Sequence, residues 1–249
     1  MRGDFPSVDR KFSGLLFLSL SIGLFFGPMA AALPTQELWI PEAKVLQPSD
    51  SKWDLQTQFI GAKDDSTSNL NQTVFGACFG VAQWNNLGLE VGIDWNEPTN
   101  QSVTHALVAN AKVVYNNVQE NGWALALGGY GYGFNPGIND YNIDYFSFQT
   151  KASDWNVEIG AYSGSSTLSN SGQGDSSGFF LGVWGMIQNS HGSLGVEYQS
   201  GKNIFGYLFL GANFLVNPDT KVALGYGIAD DTSNPASRNW ILLRTTLEF

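Results

Sequence analysis

From Lys52 to its last residue the chain is written in short stretches whose side chains alternate in character. In LGLEVGIDW, Leu87, Leu89, Val91, Ile93 and Trp95 share one face, while Gly88, Glu90, Gly92 and Asp94 share the other. WNVEIGAY (155–162), SLGVEYQ (193–199) and KVALGYGI (221–228) repeat the pattern. A period of two belongs to β-strands, whose successive side chains point to opposite faces. About twelve such stretches follow one another, near 52–62, 71–82, 86–96, 103–115, 121–134, 141–151, 153–163, 177–188, 192–200, 203–214, 219–229 and 238–249. Those near 121–134, 141–151 and 203–214 are apolar on both faces, which leaves their register open and suggests bulges.

The connectors sort by length. QWNN, KAS, QNSHG and VNPDT are short, whereas GAKDDSTSNL, WNEPTNQS, FNPGINDYN, SGSSTLSNSGQGDSS and ADDTSNPASR are long, and the two kinds largely alternate. In an up-and-down sheet, odd and even connectors lie at opposite ends, so one end is trimmed and the other elaborated. That asymmetry, with strands of roughly 9–11 residues, is the pattern of a transmembrane β-barrel. The apolar face carries Leu, Val, Ile, Phe, Tyr and Trp, and the other is rich in glycine with single charges. Such a sheet must be lipid-facing outside and polar inside, and it must close, because lipid cannot satisfy an open edge. Trp53, Trp84, Trp95, Trp123, Trp155 and Trp240 fall near segment ends, where an interfacial girdle would sit.

The start of the chain fits the same destination. Arg2, Arg10 and Lys11 precede an apolar run, then Pro28 and an Ala-x-Ala end at Ala30 and Ala32. That order is a secretory signal peptide, cleaved after Ala32. Residues 33–51, with Pro34, Pro41 and Pro48, form an irregular periplasmic lead-in, and 52–249 form the barrel. The formal net charge is −10. Losing the leader removes three basic residues (Arg2, Arg10, Lys11) and two acidic ones (Asp4, Asp9), which makes the balance still more negative. An acidic chain is a poor partner for nucleic acid. One cysteine, Cys78, and two histidines exclude a cysteine cluster and a His-rich metal site. No metal or other cofactor is expected.

The chain ends RNWILLRTTLEF, with Ile241, Leu243, Thr245, Leu247 and Phe249 on one face. This tail resembles the C-terminal signature of bacterial outer-membrane β-barrels, whose last strand ends in an aromatic, usually Phe. The resemblance covers roughly 52–249 as architecture. It implies an all-β, antiparallel up-and-down barrel of about twelve strands in the outer membrane of a Gram-negative bacterium, with both termini periplasmic. It also implies that Phe249 is read by the barrel assembly machinery and that outer-membrane lipids and lipopolysaccharide surround the wall.

Parity places Asp54, Glu90, Asp94, Lys112, Glu158, Glu197, Lys221 and Arg244 on the lumen face, with Glu248 beyond them. Two readings are open. Either these charges line a narrow pore that passes small hydrophilic solutes by diffusion and prefers cations, or they pair across a packed lumen. No plug domain or energy-coupling segment is visible, so passive passage without chemistry is the first expectation. A structural or adhesive barrel with a closed lumen is another. A third is a lipid esterase or deacylase, since His191-Gly192-Ser193 resembles the His-x-Ser pair of outer-membrane phospholipases and lipid A deacylases. Those families continue with Asn, where Leu194 stands here, and Asn203 is a possible third member. Ordinary turn chemistry explains the same residues. Asp64, Asp65, Asp230 and Asp231, in near-copies of one loop motif, are candidates to share a divalent cation, or are solvated loop residues. GGYGYG (128–133) lacks the following helix that a dinucleotide loop needs. Cys78 sits on the small-residue face and is expected to be inert.

Overall fold

The structure is a computed structural model that describes residues 36, 38–60, 70–97, 106–117, 122–133, 142–165, 174–188, 190–230 and 239–249. These form twelve strands: β1 (Ser51–Ile60), β2 (Leu70–Trp84), β3 (Leu87–Glu97), β4 (Ala106–Asn117), β5 (Trp123–Gly133), β6 (Ile143–Ala152), β7 (Trp155–Ser163), β8 (Ser177–Met186), β9 (Gly192–Gln199), β10 (Tyr207–Asn217), β11 (Thr220–Ala229) and β12 (Trp240–Glu248). Each pairs antiparallel with its sequence neighbours, and β1 pairs with β12, so the sheet closes. No strand edge is left over, which is the condition for a sheet in lipid.

The even-numbered strands β2 to β10 end on the trimmed side, where the turns 85–86, 153–154 and 218–219 are two residues each, and the odd-numbered strands end on the side of the longer connectors. Two of the tightest turns place a non-glycine residue at positive φ, Asn85 (52°) and Ser153 (57°). Two-residue hairpin turns demand that conformation because their twist must match the strands.

The outer surface is apolar as the alternation required. Val91, Ile93, Leu127, Phe146, Ile159, Leu194, Leu224 and Leu243 are all exposed there. Trp53, Trp84, Trp95 and Trp155 are exposed at the strand ends. Trp240 is a correction to that girdle: it is 2% exposed and points inward, on the face it shares with Leu242 and Arg244. The barrel also has bulges. Between β4 and β5 the register shifts from Ala109↔Tyr132 to Ala111↔Gly129. The extra residue lies on β5, where Gly131 has φ +74°, and this reverses the inside-outside phase beyond Tyr130. Both faces of that stretch therefore read as apolar. A second shift sits between Gly80 and Ala82 of β2. The stretch near 203–214 enters its strand only at Tyr207; residues 200–206 fold over the long-connector end, and Phe205 is 2% exposed.

The lead-in is irregular, and it runs inside the barrel. From Ser51, whose N–H and C=O both pair with Phe249 at 2.9 Å, the chain turns back at 47–50. It then crosses the interior toward the long-connector end and doubles over in a bridge between Gln36 and Pro41. Leu38, Trp39, Ile40, Ala43 and Leu46 are 0–9% exposed.

Candidate functional site

The barrel interior is where charge, burial and an unusual occupant coincide. The glycines of the inner wall explain how the lead-in fits. A Cβ at Gly80 would lie 2.0 Å from Gln47 O, and one at Gly88 2.3 Å from Val45 Cγ2. At Gly182 it would lie 2.6 Å from Ile40 Cδ1, and at Gly211 2.9 Å from Leu38 Cδ2. Four strands have thus given up a side chain where the segment passes. The wall is shaped for this occupant, since close packing leaves no slack for an added methyl group.

Charged side chains of the wall hold the segment by its backbone. The Glu197 carboxylate on β9 accepts three successive N–H groups: Leu38 at 3.0 Å, Ile40 at 2.8 Å, and Trp39 between them. On β12, Arg244 donates to Leu38 O at 3.3 Å and Gln36 O at 3.5 Å. With its amide turned to satisfy both sides, Gln36 donates to Trp39 O at 2.8 Å and accepts from Arg244 at 2.6 Å. On β4, Lys112 donates to Glu42 O at 2.9 Å and pairs with Glu90 of β3 at 3.5 Å; Glu90 in turn accepts the Leu46 N–H at 3.1 Å. Hydrogen bonds to charged partners contribute about 1.5–3 kcal/mol each.

The apex is aromatic. Trp39 stacks on Phe209 with ring centroids 5.1 Å apart and meets Trp240 edge-on at 5.2 Å. Phe205 and Tyr207 complete the nest, and Trp39 Nε1 donates to Phe205 O at 3.1 Å. Burying Leu38, Trp39 and Ile40 stabilises the closed arrangement by roughly 2 kcal/mol each. Asn203 shapes the connector that supplies Phe205. It donates to Tyr162 OH at 2.7 Å and to Asp175 O at 3.0 Å, and accepts the Phe205 N–H at 2.8 Å.

Of the residues placed on the lumen face by parity, Glu90, Asp94, Lys112, Glu158, Glu197 and Arg244 are at most 5% exposed, and Asp54 is 16% exposed. Lys221 lies on the inward parity of β11 but is half-buried near the trimmed end. Asp54 pairs with Lys52 at 3.0 Å and accepts from Thr246. Lys52 is a member of this face that parity alone would have included. Asp54, Asp94 and Arg244 surround a cavity of about 20 Å³ beside Gln36. That is close to the smallest space that holds one water.

Ser193 faces inward, 6% exposed, and its hydroxyl accepts from Asn213 at 3.4 Å, while His191 stands exposed on the turn. Asn203, engaged at the opposite end of the barrel, is not their third member. Cys78 is buried and unbonded to another cysteine. Of the candidate cation ligands, Asp64, Asp65 and Asp231 lie outside the described residues; Asp230 accepts from Tyr198 OH at 3.2 Å and Gly201 N–H at 3.1 Å.

No protein-family model and no curated protein matches the sequence. Solved structures do. An outer membrane channel from Pseudomonas putida F1 superposes with a TM-score of 0.52 at 12% identity, over 86% of this chain and 100% of that one. The KdgM porin, in complex with disordered oligogalacturonate, gives 0.50 at 12% over 80% and 98%. Outer membrane phospholipase A from Escherichia coli gives 0.50 at 11% over 80% and 93%. At these identities the likeness is one of fold, shared by channels and an enzyme alike. The fold is that of the bacterial outer-membrane β-barrels.

Proposed function

We propose that this chain is an outer-membrane channel for small hydrophilic solutes, closed in this structure by its own lead-in. One observation carries the reading. The interior carries a file of buried charged groups beside an aromatic cluster of the wall, and the irregular segment lying through it is held to those charges by its main chain. With the leader removed after Ala32, that segment is anchored at Ser51 and ends a few residues beyond Gln36, so it can leave as a unit. Passage is then diffusion with no chemistry. Excess carboxylates, among them Glu90, Asp94, Glu158 and Glu197, favour cations. In the same reading His191 and Ser193 are turn and wall residues, not a catalytic pair.

Refolded mature protein in a planar bilayer under a salt gradient is the test, beside a variant lacking 34–47. Mature protein should show rare openings, and the deletion a steady conductance with cation preference. A deletion variant that is folded yet silent would end the channel reading and leave a closed structural barrel.

A further inference from the structure

Most buried carboxylates of the interior have described partners: Asp54 has Lys52 and Thr246, Glu90 has Lys112 and the Leu46 N–H, and Glu197 has three backbone N–H groups. Glu158 on β7 does not. It is 0% exposed, its carboxylate oxygens lack a well-formed hydrogen bond, and the Ser147 hydroxyl stands beside them. The oxygens around it share that state. Gln149, its cross-strand partner on β6, has an unpartnered Oε1, and Ser147, diagonally opposite and 0% exposed, an unpartnered Oγ. Gly182, opposite Glu158 on β8, puts no side chain between it and the lead-in.

The charge around this group is not balanced. Its surroundings hold Glu42 and Glu197, both acidic, and Lys112. Lys112 is already engaged by Glu90 and by Glu42 O. A buried carboxylate without a counter-charge is costly, and unpartnered buried oxygens in one patch call for a shared ligand.

We infer that Glu158, Gln149 and Ser147 form an internal binding site for a small monovalent cation such as Na⁺ or K⁺. One carboxylate with neutral oxygens suits a single charge. A divalent ion would want more carboxylates, and no group of three metal-binding side chains exists among the described residues. The site stands on β6 and β7, beside the lead-in, and its occupancy does not require the channel to open.

The test is thermal unfolding of the refolded full-length mature protein in NaCl, KCl or N-methylglucamine chloride at equal ionic strength, with ²³Na line broadening as a second readout. Wild type should unfold at a higher temperature in the alkali salts and broaden the sodium line. Glu158→Gln should lose both effects, and Ser147→Ala should weaken apparent affinity several-fold. Equal cation dependence in wild type and Glu158→Gln would overturn the site and leave a protonated or merely hydrated carboxyl. Should Glu158→Gln fail to fold, Ser147→Ala and Gln149→Leu decide: an unchanged alkali-specific shift in both overturns the proposal. A silent bilayer would sink the channel reading without touching this one.

Discussion

Glu197 binds three consecutive amides, and that choice of partner sets what a single substitution does. The carboxylate reads main chain, so the side chains at 38, 39 and 40 are free to serve the aromatic nest and the glycine seats. Glu197→Gln keeps the shape but replaces one acceptor oxygen by a donor facing N–H groups. The loss should be about 2–3 kcal/mol, in line with the worth of charged hydrogen bonds. In single-channel recordings this should raise the open fraction by roughly ten- to a hundredfold, since about 1.4 kcal/mol is a factor of ten. Arg244→Lys should act in the same direction, because an ammonium lacks the planar fork that spans Gln36 O and Leu38 O. Unchanged gating in both would show that these groups do not hold the segment.

Individual strands and the segment they enclose respond differently. Gly182→Val leaves β8 with a residue strands favour, yet its branches would enter the space of Ile40 Cδ1. The barrel should fold with near-normal heat-modifiable mobility on gels while the conductance becomes persistently open; a barrel that stays closed would show that the seat is not needed. Removing Phe249 takes away both backbone bonds to Ser51 at the seam, and refolding yield should fall while the internal strands keep their register. All twelve strands were legible in the sequence because lipid outside and polarity inside impose a strict period of two. The phase reversal at Gly131 was not, since a bulge is set by backbone conformation and both faces there are apolar. The inward charges followed from parity. The occupant of the lumen did not: Leu38, Trp39 and Ile40 have no period, and Leu38 and Ile40 are seated by Gly182, Gly195 and Gly211, which lie on three different strands. The glycine-rich inner face was the visible signal, and it reads equally as space for water or for chain. Glu158 was visible as an inward charge, but its lack of a counter-charge depends on what Lys112 does with Glu90.

At the scale of the molecule, the proposed channel would open and close by a competition between one conformation of a tether and the solvent. The Val45 Cβ lies 3.5 Å from where Gly88 would carry its own, within the spacing of a disulfide. A Val45→Cys, Gly88→Cys protein should be silent when oxidised and recover brief openings on reduction; equal activity in both states would mean that the segment need not move. The covalent link at Ser51 has a kinetic meaning as well. A blocker joined to its own receptor acts at an effective concentration in the millimolar range, independent of how many barrels the membrane holds. Under the proposed function reclosure would therefore be a first-order event intrinsic to each molecule, and a free peptide of the same sequence added to the deletion variant would need millimolar amounts to reproduce it.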